Sequence, residues 1–368
     1  MANRKNAPPK ALFSLLVIAL LPILAACGFM DTQMNTIAPK SDVTKDIQTL
    51  YEIIFWLAVL VFVVVETGLL YAVIKFRRRP GDGMPNQVHG NRTLEIIWTI
   101  VPALVLIAIA IPTWITIFKI DDVPDNAYTI DIMGHQWWWE ATYPDGTEGI
   151  VDGKREKNKG PVTAYEIHVP SNRTIAFRME TADVLHSFWV PQLFGKRDIV
   201  PGRVNTLWFT PEPGLQGRFY GQCVEFCGIS HANMRLEMIV ESPEAFAAWT
   251  AGLESAAPAP TPGLVQTGYD LFATKGCIAC HSLSGRDDTV SRDKAIGPDL
   301  SLFGDRLMLA SATIQNNSEN LAAWLTDPEA IKPGNIMSKN APVYNIPDMA
   351  LSGDEIDALV AYLQSLKN

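Results

Sequence analysis

Between Tyr220 and Met234 the chain reads YGQCVEFCGISHANM, which places Cys223, Cys227, His231 and Met234 at intervals of four, four and three residues. Thiolate, thioether and imidazole are the donors that copper and zinc take. Two cysteines and a histidine could hold zinc, whereas the added methionine argues for copper. A disulfide between Cys223 and Cys227 is the competing reading in an exported chain. Against it stands His186 in VLHSFWVP, a second imidazole at the start of an expected strand, which a disulfide alone would not require.

A second cluster, Cys277-Ile278-Ala279-Cys280-His281, is the C-x-x-C-H signal of covalent haem attachment: two cysteines for the vinyl groups and a histidine for the iron. A thioredoxin-like use of the pair needs βαβ surroundings, and this stretch reads as helical. The sixth ligand is expected to be a methionine near the last helix, because Met opposite His stabilises ferrous iron. Met337 in KPGNIM resembles the Pro-Gly-x-x-Met loop of class I cytochromes c. Ser338 follows where proline is usual and the chain before the last helix is long, so Met349 stays a rival, while Met308 reads as core. IGPDL, residues 296–300, matches the haem-edge loop in which the Pro298 carbonyl would hold the ring N–H of His281.

These clusters need elements to carry them. The chain has 368 residues, a net charge of -9 and 48% hydrophobic residues, enough for two or three domains and without any basic bias toward nucleic acid. The apolar residues crowd into the first third. Met1 to Cys27 has the basic start, apolar run and small-residue end of a secretory signal. Leu24-Ala25-Ala26-Cys27 resembles a bacterial lipoprotein box, giving a signal peptide over 1–26 and a lipidated Cys27. Ile53 to Ile74 and Ile96 to Phe118 each supply the roughly 20 apolar residues that cross a bilayer. The loop between them carries Lys75, Arg77, Arg78, Arg79 and Arg92, which puts it in the cytoplasm and everything after Phe118 outside. Glu66, inside the first span, faces a partner or snorkels.

From Tyr128 to about Val240 short alternating segments broken by Pro and Gly read as strands: 128–143, 165–169, 174–180, 207–210 and 235–240, a β-sandwich or barrel. SAAPAPTPG, residues 255–263, reads as an extended linker that could reach about 28 Å. Beyond it the pattern is helical, with helices at 265–274 and 319–326. A capping box at Ser352-Gly353-Asp354-Glu355 opens a third, with Ile356, Leu359, Val360 and Leu363 on one face.

The two spans, MGHQWWW, VLHSFWVPQLFGKRDIVPGR and YGQCVEFCGISHANM together resemble subunit II of the haem-copper cytochrome c oxidases, over about 200 residues in family order. With the cytochrome c segment, the likeness is to the caa-type fusion. It implies a multidomain chain: a lipidated N-terminus and two-helix transmembrane hairpin (27–120), a cupredoxin-like β-sandwich with a dinuclear copper site (121–250), a linker (251–263) and a small all-α cytochrome c domain (264–368). By resemblance, Cys223 and Cys227 bridge two coppers, and His186 and His231 each bind one. Met234 and the main-chain carbonyl of Glu225 are the weaker axial ligands. The Glu225 carboxylate would bind magnesium shared with subunit I. Trp137 matches the tryptophan where electrons enter, and Trp138 stands where the family commonly has Tyr. Glu95 in LEIIWTIVP would lie at the cytoplasmic mouth of a proton channel.

A site filled by protein ligands leaves no open position for substrate, which suits a carrier of electrons. The function implied is electron transfer from an upstream respiratory complex or soluble cytochrome c to haem c, then to the copper pair and subunit I, with oxygen reduction and proton pumping there. Subunit III and membrane lipid are further expected partners, at a bacterial cytoplasmic membrane with both redox domains on its outer side. On its linker the cytochrome is expected to be a tethered donor at about millimolar effective concentration. A nitrous oxide reductase-like protein would not need the spans and Glu95. A membrane copper-delivery protein leaves His186, Met234 and the haem segment unused, and a quinol oxidase subunit would lack the copper ligands.

Overall fold

The computed structural model describes residues 34–81, 83–84, 87–144, 158–255 and 257–368. The expected signal peptide and Cys27 lie outside the described residues. Two helices, α1 (Asp42–Lys75) and α2 (Arg92–Asp121), are long and apolar enough to cross a membrane. At 1.5 Å per residue the 34 residues of α1 run about 51 Å, well beyond a hydrocarbon core of about 30 Å. The surplus stands on the outer domain. Ser41 closes a capping box with Thr44 at the start of α1, and its hydroxyl donates to the Leu193 carbonyl at 2.6 Å. The Thr44 hydroxyl donates to Gln192 O at 3.0 Å. At the outer end of α2, Trp208 Nε1 donates to Ile120 O at 2.8 Å, so both helices fix the domain's position over the membrane.

That domain is a sandwich of two five-stranded sheets. One runs β3 (Val162–Ala164), β2 (Trp138–Thr142), β1 (Tyr128–His135), β5 (Ile175–Thr181) and β8 (Asn205–Phe209). The other runs β4 (Glu166–Pro170), β10 (Arg235–Glu241), β9 (Gly217–Cys223), β6 (His186–Trp189) and β7 (Arg197–Ile199). Residues 128–143, which read as one strand, form a hairpin with His135 opposite Trp138, so Trp137 stands in its turn. Trp139, Phe177, Phe188, Phe194 and Phe209 fill the space between the sheets. Strands β3, β7 and β9 have little sequence signal: two are three residues long and β9 carries two glycines.

A helix without a strong sequence signal, α3 (Pro243–Glu254), is capped by Ser242 and runs into the stretch read as linker from 251. Leu253 and Ala257 are buried, and Ser284 Oγ donates to Leu253 O at 2.6 Å, so this connection lies on the last domain. There α4 (Leu264–Thr274), α5 (Ser318–Thr326) and α6 (Gly353–Ser365) build the core, and α6 opens with the capping box its sequence spells. Where α4 meets α6, a Cβ on Gly268 would lie 1.9 Å from Ala358 O, so only glycine permits that approach.

The two outer domains are docked. Tyr165 Oη donates to Met308 O at 3.1 Å, Leu307 N to Glu166 Oε2 at 3.2 Å, Ser311 Oγ to Arg235 O at 2.8 Å and Ser230 Oγ to Pro333 O at 2.6 Å. The cytochrome segment is thus seated against the sandwich, where the linker's composition suggests a free tether.

Candidate functional site

His186 opens β6 and Cys223 ends β9, and these strands pair with Phe188 opposite Cys223. Strand pairing therefore brings an imidazole to a thiol 37 residues away, with Nδ1 3.9 Å from Sγ. The loop after β9 folds back under its own donors. Cys227 Sγ lies 3.8 Å from Cys223 Sγ, 3.6 Å from His231 Nδ1 and 3.8 Å from Met234 Sδ. The main-chain oxygen of Glu225 is 3.2 Å from Cys223 Sγ. Both cysteines are free thiols, and His186, Cys223 and Cys227 offer donor atoms within 4.8 Å of one another.

Two thiolates this close repel, so without a cation only one ionises. The Cys227 thiol pointing at Cys223 brings the latter's pKa down against its burial, and that same pairing, with burial, pushes Cys227 up. A metal bridging both sulfurs removes the conflict. The donor set therefore fits a sulfur-bridged copper pair.

Asp183, three residues before His186, belongs to none of the sequence motifs, though a carboxylate is a common orienting partner of a metal-binding imidazole. Its Oδ1 lies 2.9 Å from His186 Nε2, and its Oδ2 accepts from Gln136 N at 2.7 Å. Burial presses His186 toward the neutral form, but its bonds to Asp183 and Cys223 prevail and raise its pKa. The carboxylate turns Nδ1 toward the sulfurs. A Cβ at Gly134 would come within 2.9 Å of the ring, so glycine is required there.

The haem segment encloses a largely apolar cavity bordered by Cys277, Cys280, His281, Pro298 and Met337. His281 Nδ1 lies 2.8 Å from Pro298 O, which leaves Nε2 as the ring's other donor. Met349 does not line the cavity; it sits in a separate turn, and its carbonyl accepts from Lys275. Arg306 borders the cavity, 5% exposed, with Nη1 buried and without a hydrogen-bond partner. An apolar slot with two cysteines, a held imidazole, a thioether and an orphaned cationic donor fits a c-type haem with its acidic side chains.

Gln136, Trp137, Trp138 and Tyr165 of the sandwich close this cavity on its other side. Trp137 touches both sites: Nε1 donates to Cys227 O at 2.9 Å, and the ring packs where a Cβ on Gly334 would be 3.1 Å away. Gln136 Nε2 donates to the same carbonyl at 2.6 Å. Glu225 is half-buried in the copper loop beside the exposed Phe226 and Ile229. Glu95 lies apart from both sites, in the first turn of α2 at the opposite end of the spans.

Three family profiles match the chain. The periplasmic domain of cytochrome c oxidase subunit II matches residues 128–242, the transmembrane domain of that subunit residues 30–115, and cytochrome c residues 265–367. Cytochrome c oxidase subunit 2 of Alkalihalophilus pseudofirmus is 38% identical over 84% of this chain and 83% of its own length. The same subunit of Bacillus sp. (strain PS3) is 36% identical over 79% and 80%. That of Bacillus subtilis is 32% identical over 96% and 97%.

Proposed function

Since the chain belongs to the subunit II family of cytochrome c oxidases, with a cytochrome c domain at its C-terminal end, we propose a role for each residue of its two redox sites. The chain is the electron-receiving subunit of a terminal oxidase, anchored in the membrane with its soluble domains outside. It partners subunit I and takes electrons from cytochrome c; a copper centre and haem c are its redox groups. When bound, these groups supply reversible one-electron chemistry.

Cys223 and Cys227 would hold the copper pair between them, with His186 and His231 as its imidazole ligands. Met234 and the Glu225 carbonyl would be its weaker ligands. Asp183 orients His186. Cys277 and Cys280 would tether the haem, His281 and Met337 would ligate its iron, and the Pro298 carbonyl would hold the His281 ring. The cavity position of Met337, which Met349 does not share, supports that choice. Trp137 links the two sites, and its simultaneous contact with the Cys227 carbonyl and the haem cavity is the observation that carries this reading. In the docked arrangement Trp137 is 5% exposed, so an external donor meets the chain's own cytochrome domain first.

Three finer roles complete the proposal. The Glu225 carboxylate binds magnesium shared with subunit I, supported by its place on a loop whose exposed Phe226 and Ile229 need a partner surface. Glu95 serves proton uptake toward subunit I, whose oxygen chemistry drives proton pumping. Subunit III completes the complex.

Metal analysis of the purified chain tests the reading. Two coppers and one iron per chain are expected, with a c-type haem spectrum and the multi-line spin resonance of a delocalised copper pair. A single-copper spectrum would refute the bridging roles.

A further inference from the structure

The loop that carries Met337 also buries a lysine that the sites above do not use. Lys332 is 4% exposed and borders the haem cavity. Among the described residues its Nζ has one hydrogen-bond partner, the Ala310 carbonyl at 3.1 Å, and no carboxylate. The next residue, Pro333, accepts from Ser230 of the copper loop, and Gly334 packs on Trp137 and Ile229. This cation therefore sits where haem cavity and copper domain meet. Burial drives its pKa down to about 7, with the Cys227 sulfur opposing and Arg235 adding to that push. A buried ammonium costs several kcal/mol unless an anion joins it.

We infer that Lys332 is the counter-ion of a haem propionate, on the side of the haem that faces the copper domain. The inference rests on the haem assignment above. A c-type haem brings two carboxylates into a cavity whose described lining holds two deeply buried cations lacking an acidic partner at hydrogen-bond distance, Arg306 and Lys332. Arg306 is engaged by the Asp299 carbonyl and lies over the Tyr165 ring, leaving Nη1 for one acid. Lys332 answers the other. The pairing also has a structural consequence: once haem is attached the seam between the domains holds a neutral ion pair, whereas without haem it holds a buried lysine lacking an acidic partner. Haem attachment and docking therefore reinforce each other.

The test uses the full detergent-solubilised chain, comparing Lys332→Gln, which keeps a donor for Ala310 without the charge, and Lys332→Arg, which keeps the charge. Haem and copper midpoint potentials are read by spectroelectrochemistry at pH 8, where an unpaired propionate is ionised. Removing a cation beside the haem disfavours the ferrous form. In Lys332→Gln the ferrous-to-ferric ratio at fixed potential should fall about tenfold, or about 59 mV for one electron. Lys332→Arg should stay near the unaltered value. An unshifted haem potential in Lys332→Gln overturns the inference, as does a shift in the copper potential alone. Should Lys332→Gln fail to accumulate, the unaltered chain decides: with 13C-labelled propionates, infrared spectra should lack a protonated propionate band from pH 6 to 8, and its presence would overturn the pairing. Absence of a c-type spectrum in the unaltered chain would instead refute the haem assignment beneath it.

Discussion

Asp183→Ala isolates the support beneath the copper ligands. In the native chain the Asp183 carboxylate receives His186 Nε2 at 2.9 Å and Gln136 N at 2.7 Å, and His186 is fully buried. Alanine strips the imidazole of the one acceptor it has on that side among the described residues. An unsatisfied buried donor costs about 1–3 kcal/mol. Loss of an outer partner of a metal-binding histidine typically weakens metal affinity about 10- to 100-fold, which is about 1.4–2.8 kcal/mol. The two routes agree, and Asp183→Asn, which retains an acceptor without the charge, should fall between wild type and alanine. Affinity is measured by competition with a copper chelator, with haem absorbance counting the chains. Copper held by Asp183→Ala as tightly as by the unaltered chain would refute the reasoning, because His186 would then need no orientation or would not be a ligand.

Met337→His should change the haem's ligation spectrum and lower its potential, since imidazole favours ferric iron where thioether favours ferrous. Met349→His, outside the cavity, should leave both unchanged, and the reverse pattern would exchange their roles. His168 gives a pH dependence. It is buried between Glu166, 3.2 Å from Nε2, and Glu241, 3.1 Å from Nδ1, and stacks on Trp249; burial opposes its charge, but the two carboxylates raise its pKa. Glu166 also accepts from Leu307 of the cytochrome domain. A raised folded value means that His168 contributes its full stabilisation below the unfolded value of about 6.5 and loses it as pH rises through the folded one. Thermal stability of the docked pair should therefore decline on the alkaline side, and His168→Gln should flatten that slope. An unchanged slope in the variant would assign the dependence to other groups.

Short windows of sequence carry much of this protein. Hydropathy over some 20 residues marks the spans because the bilayer core reads only length and apolarity. C-x-x-C-H, the Pro-Gly-x-x-Met loop, the Ser352 capping box and the copper loop are legible because their residues act within a few positions of one another. Strands β3, β7 and β9 and helix α3 were less legible, their lengths or glycines giving periodicity too little to work on. Other features depend on distance along the chain. His186 reaches Cys223 only through the pairing of β6 with β9, and Trp137 becomes a bridge only because a hairpin turn and a second domain meet at it. Lys332 looks like a surface lysine until the fold buries it at the edge of the haem cavity. Composition bounds what a linker can do, but whether two domains stay apart or settle together is decided by complementary surfaces, and complementarity is a property of folded shapes.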